Sequence, residues 1–260
     1  MTTTIALAGK GGVGKTTLAA LIIKQLASTG ASILAIDADP SSNLNMALGL
    51  DLEWTVGDIR EGLLEQVKET LTAGGAAMGT LPGGMSKRDY LDYHIHASLA
   101  EGERFDLIAM GRGEGQGCYC AVNHNLREVI DAMGKSYQYV VIDNEAGMEH
   151  LSRRTTRDVQ HLLIVSDLTQ RGMVAAERIA GYRHELDIHI ENAYLILNGA
   201  RGDLPEAIEE KARKMDIPLL GVVPHAEQIA AFDASGQPLV EVGDESPVCR
   251  AVADMLQKIL

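Results

Sequence analysis

Short apolar runs alternate with stretches of helical period along the 260 residues. TTIALAG (3–9), ASILAID (31–37), FDLIAMG (105–111), YQYVVID (137–143), HLLIVSD (161–167), AYLILNG (193–199) and IPLLGVVP (217–224) read as strands. They are apolar throughout rather than at every second position. That is the pattern of strands covered on both faces of a parallel sheet. Helical periodicity fills 15–29, 122–134, 169–186, 203–215 and 245–259. DESP at 244–247 supplies a helix start, an acidic residue or Ser as cap and Pro in the first turn. The alternation predicts right-handed βαβ crossovers and a doubly wound, mostly parallel α/β fold, one domain over 1–260. The stretch 68–104, with its TAGGAAMGTLPGGMSKRDY, breaks the rhythm. It is expected to be an irregular insertion or mobile loop. Within it, His94 and His96 alternate along YHIHA and read as a solvated strand face.

Charge narrows the partners. Lys and Arg number 23 and Asp and Glu 36, a net charge of −13. Such a chain repels DNA phosphates and anionic membranes at long range, and no Lys/Arg run offsets this. No nucleic-acid or membrane partner is expected. Three cysteines are too few for a disulfide scaffold, which points to a reducing, cytoplasmic setting. Met1 is not followed by a basic and then apolar leader, and no run of about 18 apolar residues exists. The tail SPVCRAVADMLQKIL carries few basic residues, so a helix packed on the domain is expected rather than a membrane-surface helix.

Candidate chemistry begins at GKGGVGKTT (9–17), directly after the first strand and at the start of a helix. It satisfies G-x-x-x-x-G-K-[ST], a P-loop. In such a loop the backbone N–H groups of Gly9, Gly11, Gly12, Val13, Gly14, Lys15, Thr16 and Thr17 close around phosphates, helped by the helix N-terminus. Lys15 reaches the β and γ phosphates, and the Thr16 hydroxyl can hold Mg²⁺. The second strand ends in IDADP. Asp37 and Asp39 there either serve the phosphate site or cap a helix starting near Asn43. YVVIDNEAG ends a strand in Asp143, the Walker B pattern of a carboxylate on the Mg²⁺ side. The segment NEAGMEHLSR after it would be a switch in which Gly147 swings with the γ-phosphate. His150 reads as a hydrogen-bonding residue of that switch.

GQGCYC (115–120) places Cys118 and Cys120 one residue apart. A disulfide between them would close a very small ring in poor geometry. As metal ligands they are too few, since Zn²⁺ takes four and the pair offers two. His124 is a possible additional imidazole. Cys249, alone in the last helix, reads as a buried small apolar residue.

KGGVGKTT, with the extra lysine Lys10, resembles the deviant Walker A motif of the MinD/ParA/nitrogenase-iron-protein class of ATPases. The resemblance implies an ATP-dependent homodimer in which Lys10 reaches the partner's nucleotide. It implies Lys10, Lys15 and Asp39 as catalytic residues, with Asp39 positioning the attacking water and Asp37 supporting the site. Asn198, in LILNGARGD, would read the adenine edge, and Pro224, in VVPHAE, would flank the base. The dimer's two-fold axis would gather four thiolates from two CxC motifs. The nitrogenase iron protein also bridges a dimer with cysteines, but DNEAGMEH lacks the cysteine that its Fe–S site needs.

The closer resemblance is to CooC-type nickel-insertion ATPases, carried by AGKGGVGKTT (8–17), DADP (37–40), GCYC (117–120), IDNEAGMEHLSR (142–153) and Asn198. It implies ATP, Mg²⁺ and Ni²⁺, with Zn²⁺ competing at Cys118 and Cys120, and carbon monoxide dehydrogenase as client. Segment 68–104 would then lie near the dimer or client interface. The alternatives are a MinD/ParA-like positioning ATPase without a metal role and an Fe–S redox ATPase.

Overall fold

A computed structural model describes residues 2–72, 85–111, 128–146, 158–185 and 188–260, with side chains of the first segment described to residue 65. The strands are β1 (Thr3–Gly9), β2 (Ile33–Asp37), β3 (Ala100–Glu101), β4 (Phe105–Ala109), β5 (Tyr139–Asp143), β6 (Asp158–Asp167), β7 (His189–Ala200) and β8 (Leu219–Pro224). They form one eight-stranded sheet in the order β3-β4-β2-β5-β1-β6-β7-β8. Every neighbouring pair is parallel except β3 with β4.

The continuous apolar strands are explained by two cores, one on each face. Ile5 and Leu7 of β1 point to one face and Ala6 and Ala8 to the other, and all four are fully buried. The first face is filled by α1 (Lys15–Ser28) and α9 (Pro247–Ile259), the second by α3 (Val56–Thr72), α4 (Lys87–Ala97), α5 (128–134), α6 (Gln170–Tyr182) and α7 (Glu206–Lys214). Burying one side chain of the size of Ile5 or Leu7 contributes about 1.5–3 kcal/mol. Helix α1 lies between the sheet, α9 and the short helix α2 (Leu44–Leu48), so Leu18 through Ile23 are all buried. It ends where Gly30 turns left-handed, φ 88°.

All seven expected strands form, and β3 adds an antiparallel edge that the alternation did not suggest. Expected helices form at 15–28, 170–182, 206–214 and 247–259, and the described part of the 122–134 expectation is helical over 128–134. Pro247 opens α9 as expected, but the Ser246 side chain makes no capping bond. Helix α8 (Glu227–Ser235) was not foreseen.

The stretch 68–104 needs correction where it is described. Helix α3 runs to Thr72, and 87–97 is α4. Ser86 caps α4 by accepting from the Asp89 N–H at 3.1 Å, while its hydroxyl donates to the Asp89 carboxylate at 2.7 Å. This S-x-x-D box, with Leu91 and Ile95 buried one turn apart, starts a helix despite the glycines before it. His94 and His96 therefore ride on a helix, not a strand. His94 stacks on Tyr90 with ring centroids 4.1 Å apart, and His96 Nδ1 bonds the Asp92 carbonyl at 2.8 Å.

Tail helix α9 lays Val248, Cys249, Val252, Met255 and Leu256 against β8 and α1. Cys249 is fully buried. Among the described residues no helix is long and apolar enough to cross a membrane.

Candidate nucleotide site

Parallel strands point their C-terminal ends one way, and there the chemistry gathers. β1 ends at Gly9, β2 at Asp37 and β5 at Asp143, while β7 carries Asn198 near its end and β8 ends at Pro224. Asp37 lies directly across from Asp143, and Ala200 from Pro224.

The loop from Gly9 to Gly14 bends where ordinary residues do not. Gly12 and Gly14 have φ of 79° and 90°, and Gly14 in the left-handed region starts α1. Gly9 has no room for a side chain, since a Cβ would lie 2.4 Å from the Val165 carbonyl oxygen of β6. Lys15 folds back into the loop and its Nζ donates to the carbonyls of Gly9 (3.3 Å) and Lys10 (3.2 Å). Burial lowers the Lys15 pKa, and the carboxylates of Asp143, Asp39 and Glu145 act against that shift. Lys10, by contrast, is exposed, as are Gly11 and Gly12. Val13 is buried, and Thr17 is half-buried on the first turn of α1.

The Thr16 hydroxyl is close enough to the Asp143 carboxylate to favour its charged form. Burial raises the Asp143 pKa to about 7, with Asp37 and Asp39 adding repulsion against Thr16 and Lys15. Its Oδ1 is buried and has no hydrogen-bond partner among the described residues.

Asp37 and Asp39 divide the alternatives left open by the sequence. Asp37, 1% exposed, accepts from the Asp39 N–H at 3.0 Å and from the Leu44 N–H at 2.9 Å, so it secures the start of α2. Burial still raises its pKa to about 6. Asp39 is half-buried, and its Oδ1 accepts from the Ser41 N–H at 2.8 Å. The turn that follows holds Ser42 at φ 47°, a left-handed conformation that costs a serine backbone strain.

Asn198 Nδ2 donates to the Val13 carbonyl at 2.8 Å. Beside it the loops after β7 and β8 join. The His225 N–H donates to the Ala200 carbonyl at 2.8 Å, and Arg201 Nη2 lies 3.0 Å from His225 Nε2.

Three residues of the segment expected to be a switch make contacts that the sequence did not show. Asn144 is 2% exposed and its Nδ2 donates to the Leu7 carbonyl at 2.7 Å, tying the residue after Asp143 to the strand that feeds the loop. Glu145 stands close enough to Lys15 to act on its charge. Ala146 faces Gly11, its Cβ 3.9 Å from where a Gly11 Cβ would be. The signal for all three was polar and small residues following an apolar strand end.

Cys118, Cys120, His124, Gly147 and His150 lie outside the described residues. Among the described residues no cluster of His, Cys, Asp and Glu could hold a metal ion.

The arrangement is that of a phosphate-binding loop, a hydroxyl and a carboxylate at the switch point of a parallel sheet. An uncharacterized ATP-binding protein of Methanocaldococcus jannaschii is 42% identical over 256 residues, covering 98% of each chain. The carbon monoxide dehydrogenase accessory protein CooC of Rhodospirillum rubrum is 30% identical over 258 residues, 98% of this chain and 95% of that protein. The septum site-determining protein MinD of Pyrococcus horikoshii, solved with Mg-ADP, shares the fold with a TM-score of 0.68 at 22% identity, covering 100% of this chain and 96% of that one. The CobQ/CobB/MinD/ParA nucleotide binding domain family matches residues 4–239, and the chain belongs to that family of P-loop nucleotide-binding proteins.

Proposed function

We propose that this protein is an ATP-hydrolysing metallochaperone of the CooC type. It is a cytoplasmic homodimer, each subunit one P-loop domain over 1–260. It binds Ni²⁺ through Cys118 and Cys120 of both subunits and aids nickel insertion into carbon monoxide dehydrogenase. The observation that carries this reading is the near full-length similarity to the CooC accessory protein, together with GCYC at 117–120 in this chain. Thiolates suit Ni²⁺ and Zn²⁺ alike, so Zn²⁺ competes for the same cargo site.

The residues fit ATP with Mg²⁺. Asp143, with its unpartnered buried oxygen, and the Thr16 hydroxyl supply the oxygen donors a hard cation takes. These two residues would hold Mg²⁺ there, and the ion would supply charge neutralisation at the phosphates. Lys15 steadies the β and γ phosphates, and Asp39 orients the attacking water. Lys10, exposed on the loop, reaches the partner's nucleotide. Asn198 and Pro224 border the base. Each ligand shifts the dimer equilibrium only by its differential affinity for the closed form. Nucleotide therefore tightens metal binding, metal tightens nucleotide binding by the same factor, and both favour the dimer.

The test is an anaerobic Ni²⁺ titration of the reduced protein with mass read by light scattering, on wild type and on Cys118→Ser/Cys120→Ser. One tight metal per dimer, lost in the variant, supports the proposal. One metal per monomer irrespective of the variant overturns the shared thiolate site. It would favour the second reading, a MinD-like positioning ATPase, which the fold similarity to MinD supports. A visible absorption band after anaerobic purification would instead favour the Fe–S redox ATPase.

A further inference from the structure

Asn198 is near the end of β7, far in sequence from the phosphate loop, yet its side chain is built into that loop. Two observations place it there. Its Nδ2 donates to the Val13 carbonyl at 2.8 Å across 185 positions of chain. A Cβ on Gly14 would fall 2.4 Å from the same Nδ2, so the amide nitrogen reaches the space a Gly14 side chain would fill. A carbonyl oxygen only accepts, so Nδ2 must be the atom that faces Val13.

This contact fixes more than one atom. The peptide between Val13 and Gly14 is planar, and trans because no cis bond occurs among the described residues. Holding the Val13 C=O toward Asn198 therefore turns the Gly14 N–H the opposite way. That N–H belongs to the set that a phosphate loop presents to its ligand. The same contact supports Gly14 in its left-handed conformation, φ 90°, from which α1 starts, with the Leu18 N–H donating to the Gly14 carbonyl at 3.0 Å. At its other end the loop is pressed on β6, where Gly9 meets the Val165 carbonyl. The loop is thus braced by β6 at its beginning and by Asn198 of β7 at its end.

We infer that Asn198 is a positioning residue for the phosphate loop, orienting the Val13–Gly14 peptide for phosphate binding independently of any contact with the base. The inference rests on the nucleotide-site reading of residues 9–17 and extends it. A residue that only reads the base has no effect on a ligand without one. A residue that shapes the loop does.

The experiment is calorimetric titration of the full chain with inorganic tripolyphosphate in the presence of Mg²⁺, and with ATP for comparison. Wild type is compared with Asn198→Leu, which is nearly isosteric but cannot donate, and with Asn198→Ala. Thermal unfolding of each variant is followed in parallel. The expected result is about five- to tenfold weaker tripolyphosphate binding in both variants, the worth of one hydrogen bond, with unfolding midpoints near wild type. Unchanged tripolyphosphate binding with weakened ATP binding overturns the inference and leaves Asn198 a base contact. A loss of affinity that tracks a loss of folding in both variants overturns it as well. Wild type that binds ATP but not tripolyphosphate refutes a preformed loop. Wild type that binds neither refutes the nucleotide site itself.

Discussion

Asp37 and Asp143 stand opposite each other on adjacent parallel strands, each about 1% exposed. Burial lifts both, Asp37 to about 6 and Asp143 to about 7. A carboxyl whose pKa rises on folding stabilises the fold while protonated, and that stability is lost as pH climbs through the folded value. The protein without nucleotide should therefore melt at lower temperature at pH 8 than at pH 5.5. Asp143→Asn removes one buried charge and should flatten that slope. It should raise the pH 8 midpoint by on the order of 5 °C, as read by differential scanning calorimetry. A slope unchanged by the substitution would contradict the burial argument.

The two aspartates of DADP should separate cleanly. Asp37→Ala removes the acceptor for two backbone N–H groups and should cost about 1–3 kcal/mol of stability. Asp39→Ala should leave stability within about 0.5 kcal/mol, as for a half-exposed site. It should nonetheless lower ATP turnover by at least about a hundredfold if Asp39 orients the water. Urea unfolding and phosphate release measure the two. Equal loss of stability in both variants would remove the distinction.

Lys10 and Lys15 should also part. Lys15→Ala leaves the loop without its inward cation and should weaken ATP binding by more than about tenfold. Lys10 is exposed, and Lys10→Ala should bind ATP nearly as wild type yet fail to dimerise with it. Light scattering with and without ATP decides. A Lys10→Ala protein that still dimerises on ATP would show that Lys10 does not reach across.

His161 of β6 is 8% exposed, its Nδ1 is without a partner among the described residues, and burial lowers its pKa. Glu191 only partly opposes that shift. A histidine with a lowered folded pKa costs stability as pH falls below the unfolded value of about 6.5. His161→Leu should therefore lose less of its melting temperature between pH 7 and pH 5 than wild type does. A parallel loss in both would place the acid sensitivity elsewhere.

The strands were legible because a strand buried on both faces leaves no polar position, as Ile5 through Ala8 show. The loop was legible because its glycines and lysine stand at fixed spacing. What the sequence hid is made by long-range placement. Nothing near Asn198 in the chain announces that its amide meets Val13, and nothing near Asp37 shows that its second oxygen receives the Leu44 N–H. Helix α4 was missed for a local reason. The glycines ahead of it signal a loop, and the Ser86–Asp89 cap that starts the helix spans only four residues.

The place of β1 in the sheet bears on the order of assembly. Its neighbours are β5 and β6, and Thr3 pairs with Tyr139 and Ile5 with His161. β1, made before the other strands of its sheet, thus waits for partners made more than a hundred residues later. Such distant pairings are the slow ones in folding. A nascent chain that already displays the whole GKGGVGKTT motif has no sheet to hold it open. Full affinity for nucleotide should therefore come late, once synthesis has passed β7 and supplied the Asn198 contact to Val13.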